Sequence, residues 1–197
     1  MSDETDFPSL CGKFLIAMPG MGDSRFERTV IYICAHSTEG AMGFIINRTM
    51  DNPNVPDFLE QLEIITSEER IDFENTLAAM GMYVGGPVEP GRGFVLHTEE
   101  FNSTATISVR DEVYLTATLE ILRSIATGKG PKKALIALGY AGWAAGQLED
   151  EITSNGWLTV DADKSIIFDC DISKRYSQSL ALLGVDESLL SSNAGHA

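Results

Sequence analysis

The run of sequence that most constrains the fold is FERTVIYICAH, residues 26–36. It is rich in β-branched and aromatic residues, which favour β-strands. Alternate residues of a strand face opposite sides of a sheet, so the two faces can be listed separately. One face receives Val30, Tyr32 and Cys34, and the other receives Thr29, Ile31 and Ile33. Because both sets are largely apolar, the sequence predicts a strand that is covered on both faces.

Further strands and helices follow from hydrophobic spacing and turn residues. GAMGFIIN (40–47) is predicted to pair with the first strand through a hairpin at STEG, and ALIAL (134–138) is predicted to be buried on both faces. Other strands are predicted at 14–18, 82–84, 94–98, 104–110, 157–160 and 165–169, and helices at 55–64, 116–128, 143–154 and 172–184. Strands interrupted by helices without strict alternation predict an α+β fold with a mixed sheet. The 197 residues suit one domain, 1–197, with an inserted segment predicted around 51–80.

The glycine-rich stretch GGPVEPGRG, residues 85–93, partly matches a phosphate-binding loop. Pro87 and Pro90 remove backbone donors, and Gly93 stands where such a loop needs a hydroxyl. A strand-like run follows instead of a helix. We therefore predict a tight connection between strands, shaped by glycine and proline. Gly86, Gly93 and Arg92 remain candidate binding residues, since the Arg92 guanidinium can present its fork to a carboxylate or phosphate.

A second glycine-rich turn is predicted at 139–142, between the ALIAL strand and a helix. Ligands often bind where such a strand ends. Ala141 has no nucleophilic group, so a hydrolase elbow is excluded at this turn. Three residues, Trp143, Gln147 and Glu151, would share one helical face, with Tyr140 beside them. The face is interpreted either as a packed aromatic with surface polar groups or as a groove for a ligand or partner.

The cysteines and histidines give weak chemical signals. Three separate cysteines without close spacing predict buried, reduced thiols and no disulfide framework. Redox sensing by Cys34 is the alternative, and it needs an exposed thiolate of low pKa. Cys34 and His36 share a strand face, but two ligands do not make a zinc site. The sequence predicts no metal, no cofactor and no catalytic residue.

The formal net charge of −15 argues against direct nucleic-acid binding, which depends on basic residues. The lysines at 129, 132 and 133 are interpreted as a solvated turn. The longest apolar runs are far short of the ~20 residues that span a bilayer. MSDETDFPSL, at the start, lacks the basic and apolar segments of a secretory signal. We therefore expect a cytoplasmic protein without membrane contact.

Four stretches together resemble the YqgE/AlgH family of bacterial proteins. They are residues 12–48, 85–98, 137–158 and the terminal AGHA. The resemblance implies an α+β fold whose branched, mixed β-sheet closes into a pseudo-barrel, with helices packed outside. Family members are labelled as transcriptional regulators but have no agreed activity, so the resemblance implies no catalytic roles. The chain shows no helix-turn-helix and no basic recognition helix.

The leading hypothesis is a non-enzymatic binding or regulatory protein that contacts an unknown protein or small molecule. Its predicted binding residues lie at the ends of predicted strands; they are His36, Asn47, Gly86, Arg92, Gly93, Tyr140, Trp143 and Gln147. The alternative is an enzyme, either hydrolytic or thiol-dependent, with Cys34 near His36 as its sequence-local pair. A DNA-binding regulator is the third class, and the charge argues against it.

Overall fold

A computed structural model describes residues 8–70, 77 and 80–190 of the chain. The strands are β1 (Lys13–Ala17), β2 (Val30–Ser37), β3 (Gly40–Ile45), β4 (Thr49–Met50), β5 (Met82–Val84), β6 (Val88–His97), β7 (Ile107–Arg110), β8 (Val113–Thr116), β9 (Ala134–Ala144) and β10 (Trp157–Asp161). The α-helices are α1 (Val55–Gln61), α2 (Leu119–Ala126), α3 (Gln147–Thr153), α4 (Lys164–Phe168) and α5 (Ile172–Ala181), and residues 67–70 are also helical. Every helix in these described ranges is too short or too polar to cross a bilayer.

The sheet is mixed and branched, and β9 is its branch point. The strand order is β10-β1-β2-β3-β9-β6-β8-β7, with β5 pairing to β9 off this path. Near its end, at 141–144, β9 pairs with β3, and near its start it lies between antiparallel β6 and parallel β5. Arg110 of β7 comes within 3.8 Å of Asp161 of β10, so the two edge strands approach each other. The chain therefore has the α+β fold with a pseudo-barrel sheet that the family resemblance implied.

Strand β2 is buried on both faces, as predicted. Tyr32 packs in a core that α4 and α5 cover, whereas Ile31 and Ile33 pack on the opposite side, in a core that α3 helps to cover. A third core lies under α1 and α2, against β6 and β9. The β2–β3 hairpin is confirmed as well, with Ser37 opposite Gly40. Helices therefore cover both faces of one curled sheet. On the face opposite α4 and α5, α3 lies beside the end of β9.

The predicted turn at 139–142 is wrong, because β9 runs without a break from 134 to 144. Gly139 lies inside the strand with a φ of +68°, and a Cβ there would come within 2.5 Å of the Gly86 carbonyl oxygen. The glycine therefore lets β6 approach β9 closely instead of turning the chain. The helix predicted from residue 143 begins at Gln147, after Gly146 in the left-handed conformation.

Three other predictions also need correction. Residues 165–169 were predicted as a strand but lie mostly in α4, where Asp163 caps the Ser165 N–H at 2.8 Å. The helix predicted from 116 begins at Leu119, because Thr116 ends β8. The stretch 85–93 is only partly a connection, since β6 begins at Val88 and bulges before Gly93. The inserted segment around 51–80 stays a prediction, because residues 71–76 and 78–79 lie outside the described residues.

Candidate functional site

Four separate segments of the chain enclose a pocket of about 730 Å³, which we call the tryptophan pocket. Its walls are the loop after β1, the start of β6, the end of β9, and α3 with the turn that follows it. The lining residues are Pro19–Asp23, Arg25, Phe26, Pro87, Val88, Gly142, Trp143, Gln147, Glu151 and Ser154–Trp157. The pairing of β10 with β1 and of β9 with β3 brings these segments together.

Glu151 is the hydrogen-bonding centre of the tryptophan pocket. Its Oε2 accepts from the indole Nε1 of Trp143 at 2.9 Å and of Trp157 at 2.8 Å. Its Oε1 accepts from Gln147 Nε2 at 3.0 Å. Trp143 and Trp157 are the only two tryptophans of the chain, and both are buried. One carboxylate thus fixes both indoles through neutral donors.

Three aromatic rings form the apolar part of the pocket. Phe26 is stacked with Trp143, with ring centroids 6.5 Å apart, and meets Trp157 edge-on at 5.7 Å. The two indoles are also edge-on, at 6.1 Å. These offset and edge-on arrangements are the favoured ones for aromatic pairs. Phe26 is only partly buried, so its ring belongs to the wall that faces the pocket.

The lip of the pocket carries one ion pair. Asp23 accepts from Arg25 Nε at 3.0 Å and from Nη2 at 2.6 Å, and also caps the Arg25 backbone N–H. The hydrogen bonds from the Arg25 side chain lower the pKa of Asp23, and its backbone hydrogen bond adds to this. The guanidinium carbon of Arg25 lies 5.8 Å from the centre of the Phe26 ring. The lip therefore contains a cation whose charge Asp23 already balances.

Asn47 holds the loop that carries Phe26, but it does not line the pocket. Its Oδ1 accepts from the Val30 N–H at 2.8 Å, and its Nδ2 donates to the Arg28 carbonyl at 2.8 Å. The neighbouring Arg48 donates to the carbonyls of Arg25 and Glu27. Asn47 is thus a positioning residue for the pocket wall.

His36 lies in an adjoining open surface, the histidine groove, of about 720 Å³. The groove shares Val88, Gly142 and Trp143 with the tryptophan pocket and also includes Tyr140. His36 Nδ1 accepts from the Leu10 backbone N–H at 3.1 Å, which places the ring proton on Nε2. Nε2 then donates to Glu149 Oε1 at 2.7 Å. Both ring nitrogens are therefore occupied.

Cys34 does not meet the conditions that a redox sensor or nucleophile requires. Only 4% of the residue is exposed, and burial raises the pKa of its thiol well above the ordinary value. His36 is committed to Leu10 and Glu149 and so offers Cys34 no base. Burial also raises the pKa of Cys11, whose thiol donates to the Cys34 carbonyl at 3.3 Å.

Arg92, Gly86 and Gly93 line neither surface. Arg92 is exposed, pairs with Glu89 within its own bulge at 3.0 Å, and lies 5.0 Å from the Phe94 ring centre. A Cβ on Gly86 would come within 2.1 Å of the β9 backbone at Tyr140. A Cβ on Gly93 would come within 2.9 Å of Phe58. These two glycines are needed for close packing.

The structure divides the predicted binding residues into three groups. Trp143 and Gln147 line the tryptophan pocket, and His36 and Tyr140 line the groove beside it, which also includes Trp143. The residues that line neither surface are Asn47, Gly86, Arg92 and Gly93. The sequence reasoning did not select Phe26 or Trp157 for the site. The signal that points to Trp157 is the rarity of tryptophan, which occurs twice in the chain. Among the described residues, no group of three acidic, histidine or cysteine side chains could hold a metal ion.

Comparison with known proteins places this site in a family context. The AlgH-like family model matches residues 14–188. A UPF0301 protein of Bradyrhizobium diazoefficiens is 54% identical over 189 residues, which cover 95% of this chain and 88% of that protein. A UPF0301 protein of Rhizobium meliloti is 51% identical over 188 residues, which cover 95% of this chain and 93% of that protein.

Two solved structures are similar over most of the chain. The solution structure of the AlgH protein from Pseudomonas aeruginosa is 42% identical, with a TM-score of 0.77, over 100% of this chain and 99% of that one. A crystal structure of a Corynebacterium diphtheriae protein has a TM-score of 0.67 at 19% identity, over 88% of this chain and 87% of that one. This second likeness concerns the fold alone.

Proposed function

The chain belongs to the AlgH-like family, and from that premise we propose that it is a non-enzymatic binding protein whose ligand occupies the tryptophan pocket. A pocket of about 730 Å³ is in the range that proteins use for small molecules. Its wall combines aromatic rings with a few polar groups that are fixed in direction, as binding pockets usually do. We propose that the protein responds to the binding of this ligand.

One observation carries the proposal: segments that are distant in sequence converge on one pocket, and Glu151 is its polar centre. Trp143 and Trp157 come from two strands, and Glu151 comes from the helix between them. The loop after β1 adds Phe26, and the start of β6 adds Val88. The pocket wall thus combines the apolar surfaces of Phe26 and Val88 with the polar groups of Glu151 and Gln147, and this combination favours recognition of a ligand.

The regulatory role that the family resemblance implies is proposed to act through this ligand or a protein partner. The net charge of −15 repels nucleic-acid phosphates at long range. The lysines at 132 and 133 are paired with Glu100 and Asp169, which reduces their use as phosphate contacts. We therefore favour a ligand-binding regulator over one that binds DNA directly.

The test uses the two tryptophan indole N–H signals, because Trp157 lines this pocket and not the groove, whereas Trp143 lines both. Metabolites are titrated into ¹⁵N-labelled protein, and a true ligand shifts both indole signals until they saturate. Gly22→Leu adds an apolar side chain at the pocket wall, where a Cβ has no neighbour within 4 Å, and should weaken the binding that causes the shifts. Gly91→Leu is the matched control, because Gly91 is equally open but lies in the β6 bulge. A ligand that binds Gly22→Leu as well as the native chain contradicts the proposal.

A further inference from the structure

We infer that the ligand of the tryptophan pocket carries a positive charge, in an ammonium or guanidinium group that contacts Glu151 and the Phe26 ring. The inference rests on the proposed function, because it assigns a chemical class to the ligand of the same pocket. The positively charged group can come from either of two sources: a small organic cation, or a lysine or arginine side chain of a protein partner.

The charge of Glu151 is the first argument. Its three hydrogen-bond donors, two indoles and one amide, are all neutral. A carboxylate offers about four acceptor positions, and these donors use three of them. In the described part of the chain, no lysine, arginine or histidine lies within 4 Å of this carboxylate. A partly buried carboxylate that lacks a cation gains most from a charged donor.

The remaining charges of the pocket do not balance Glu151. Arg25 is the one cationic residue of the lining, and Asp23 holds it through two nitrogens. These two charges cancel, so the pocket keeps the single negative charge of Glu151. The chain as a whole has a formal charge of −15, which attracts cations and repels anions at long range. Both the local and the overall charge therefore favour a cationic ligand.

The aromatic wall is the second argument, and it is independent of charge counting. Cations bind over aromatic faces at about 6 Å or less from the ring centre. The guanidinium carbon of Arg25 already lies 5.8 Å from the Phe26 ring centre at the lip. The protein therefore shows in its own side chains that a guanidinium fits against this ring. Trp143 and Trp157 direct their N–H edges at Glu151, so Phe26 is the ring whose face supplies this contact.

The test compares three probes of similar shape and different charge. Butylguanidinium is cationic, butylurea is its neutral analogue, and hexanoate is anionic. Each is titrated into the full chain, with the two indole signals and tryptophan fluorescence as readouts. We expect saturable shifts with butylguanidinium, at least tenfold weaker binding of butylurea, and no binding of hexanoate.

Two matched variants test the role of Glu151. Glu151→Gln keeps an acceptor for the indoles but loses the charge, and should weaken butylguanidinium binding at least tenfold. Glu149→Gln makes the same change two residues away on α3, where the carboxylate faces His36, and should change the affinity less than twofold. Circular dichroism confirms that both variants are folded. Equal affinities for the native chain and Glu151→Gln would overturn the inference.

The outcomes separate this inference from the proposed function. Binding of hexanoate or butylurea in preference to butylguanidinium overturns the cationic class but leaves the pocket as a ligand site. If neither the probes nor a metabolite panel shifts the indole signals, the proposed function itself is wrong. A blocked Gly-Arg-Gly peptide distinguishes the two sources. If the peptide binds more tightly than butylguanidinium, the natural ligand is a side chain of a protein partner. If the peptide binds more weakly, the natural ligand is a small molecule. Both results support a cationic ligand.

Discussion

Glu149 and Glu151 lie two residues apart on the same short helix, yet they face different chemical environments. Glu149 accepts from the imidazole of His36, whose other ring nitrogen accepts from the Leu10 backbone N–H. Glu151 accepts from two indoles and one amide. Trp143 stands between the two environments and belongs to both walls. The difference shows that neighbouring carboxylates of one helix can take their donors from different strands, β2 for Glu149 and β9 with β10 for Glu151.

The largest effect is expected from Glu151→Ala. This change leaves two buried indole N–H groups without an acceptor and should lower the free energy of unfolding by about 2–4 kcal/mol. Urea denaturation followed by circular dichroism measures the loss. Glu151→Gln retains an oxygen acceptor and should cost less than about 1 kcal/mol. Equal losses in the two variants would show that the carboxylate charge, and not the acceptor, stabilises the indoles.

Replacing His36 tests the contact that holds Glu149. His36→Ala leaves the Leu10 N–H and Glu149 without their contacts and should lower the free energy of unfolding by about 2 kcal/mol. A double-mutant cycle with Glu149→Ala should give a coupling energy of about 1 kcal/mol. Butylguanidinium affinity should stay within twofold of the native chain. A large loss of affinity would mean that groove and pocket act as one site.

The pH dependence of stability tests the burial of His97. His97 is fully buried, its Nδ1–H donates to the Thr98 carbonyl at 2.8 Å, and Nε2 accepts from Thr116 at 2.9 Å. Burial lowers the pKa of His97, so protonation favours the unfolded chain. Histidine in the unfolded chain has a pKa of about 6.5, and above this pH His97 does not change the stability. As the pH falls below about 6.5, protonation of His97 in the unfolded chain lowers the free energy of unfolding by up to about 1.4 kcal/mol per pH unit.

Urea denaturation between pH 7.5 and 5.5 measures this slope in the native chain and in His97→Gln. The variant should lose the His97 part of the slope, whatever its absolute stability. An unchanged slope in His97→Gln would assign the whole pH dependence to groups other than His97.

The smallest effect is expected from Arg92→Ala. Arg92 and Glu89 are both about half exposed, and exposed ion pairs contribute little to stability. We expect a change below about 0.5 kcal/mol in the free energy of unfolding and no change in ligand affinity. Thermal denaturation measures the change in stability, and the butylguanidinium titration measures the affinity. Loss of binding in this variant would extend the site to the β6 bulge.

Sequence reasoning predicted Trp143, Gln147 and Glu151 as neighbours, but from the wrong element. It placed all three on one helix, whereas Trp143 lies on β9 and only the other two lie on α3. The hydrogen bonds among them are nevertheless present. The residues are close in sequence, so they stay close whether the chain turns at 142 or at 146. Trp157 could not be predicted, because its position depends on β10 pairing with β1.

Local periodicity and composition determined much of this protein. They were sufficient to predict the two buried faces of β2 and the hairpin after it. They also predicted that Gly128 and Gly184 end helices, and both glycines have a positive φ. These features depend on neighbours within a few residues and on backbone sterics. The branching of the sheet at β9 and the assembly of the pocket from the loop after β1, the start of β6 and α3 were decided only by tertiary structure. Both require contacts between segments far apart in the chain, and no local pattern encodes which distant segment is the partner.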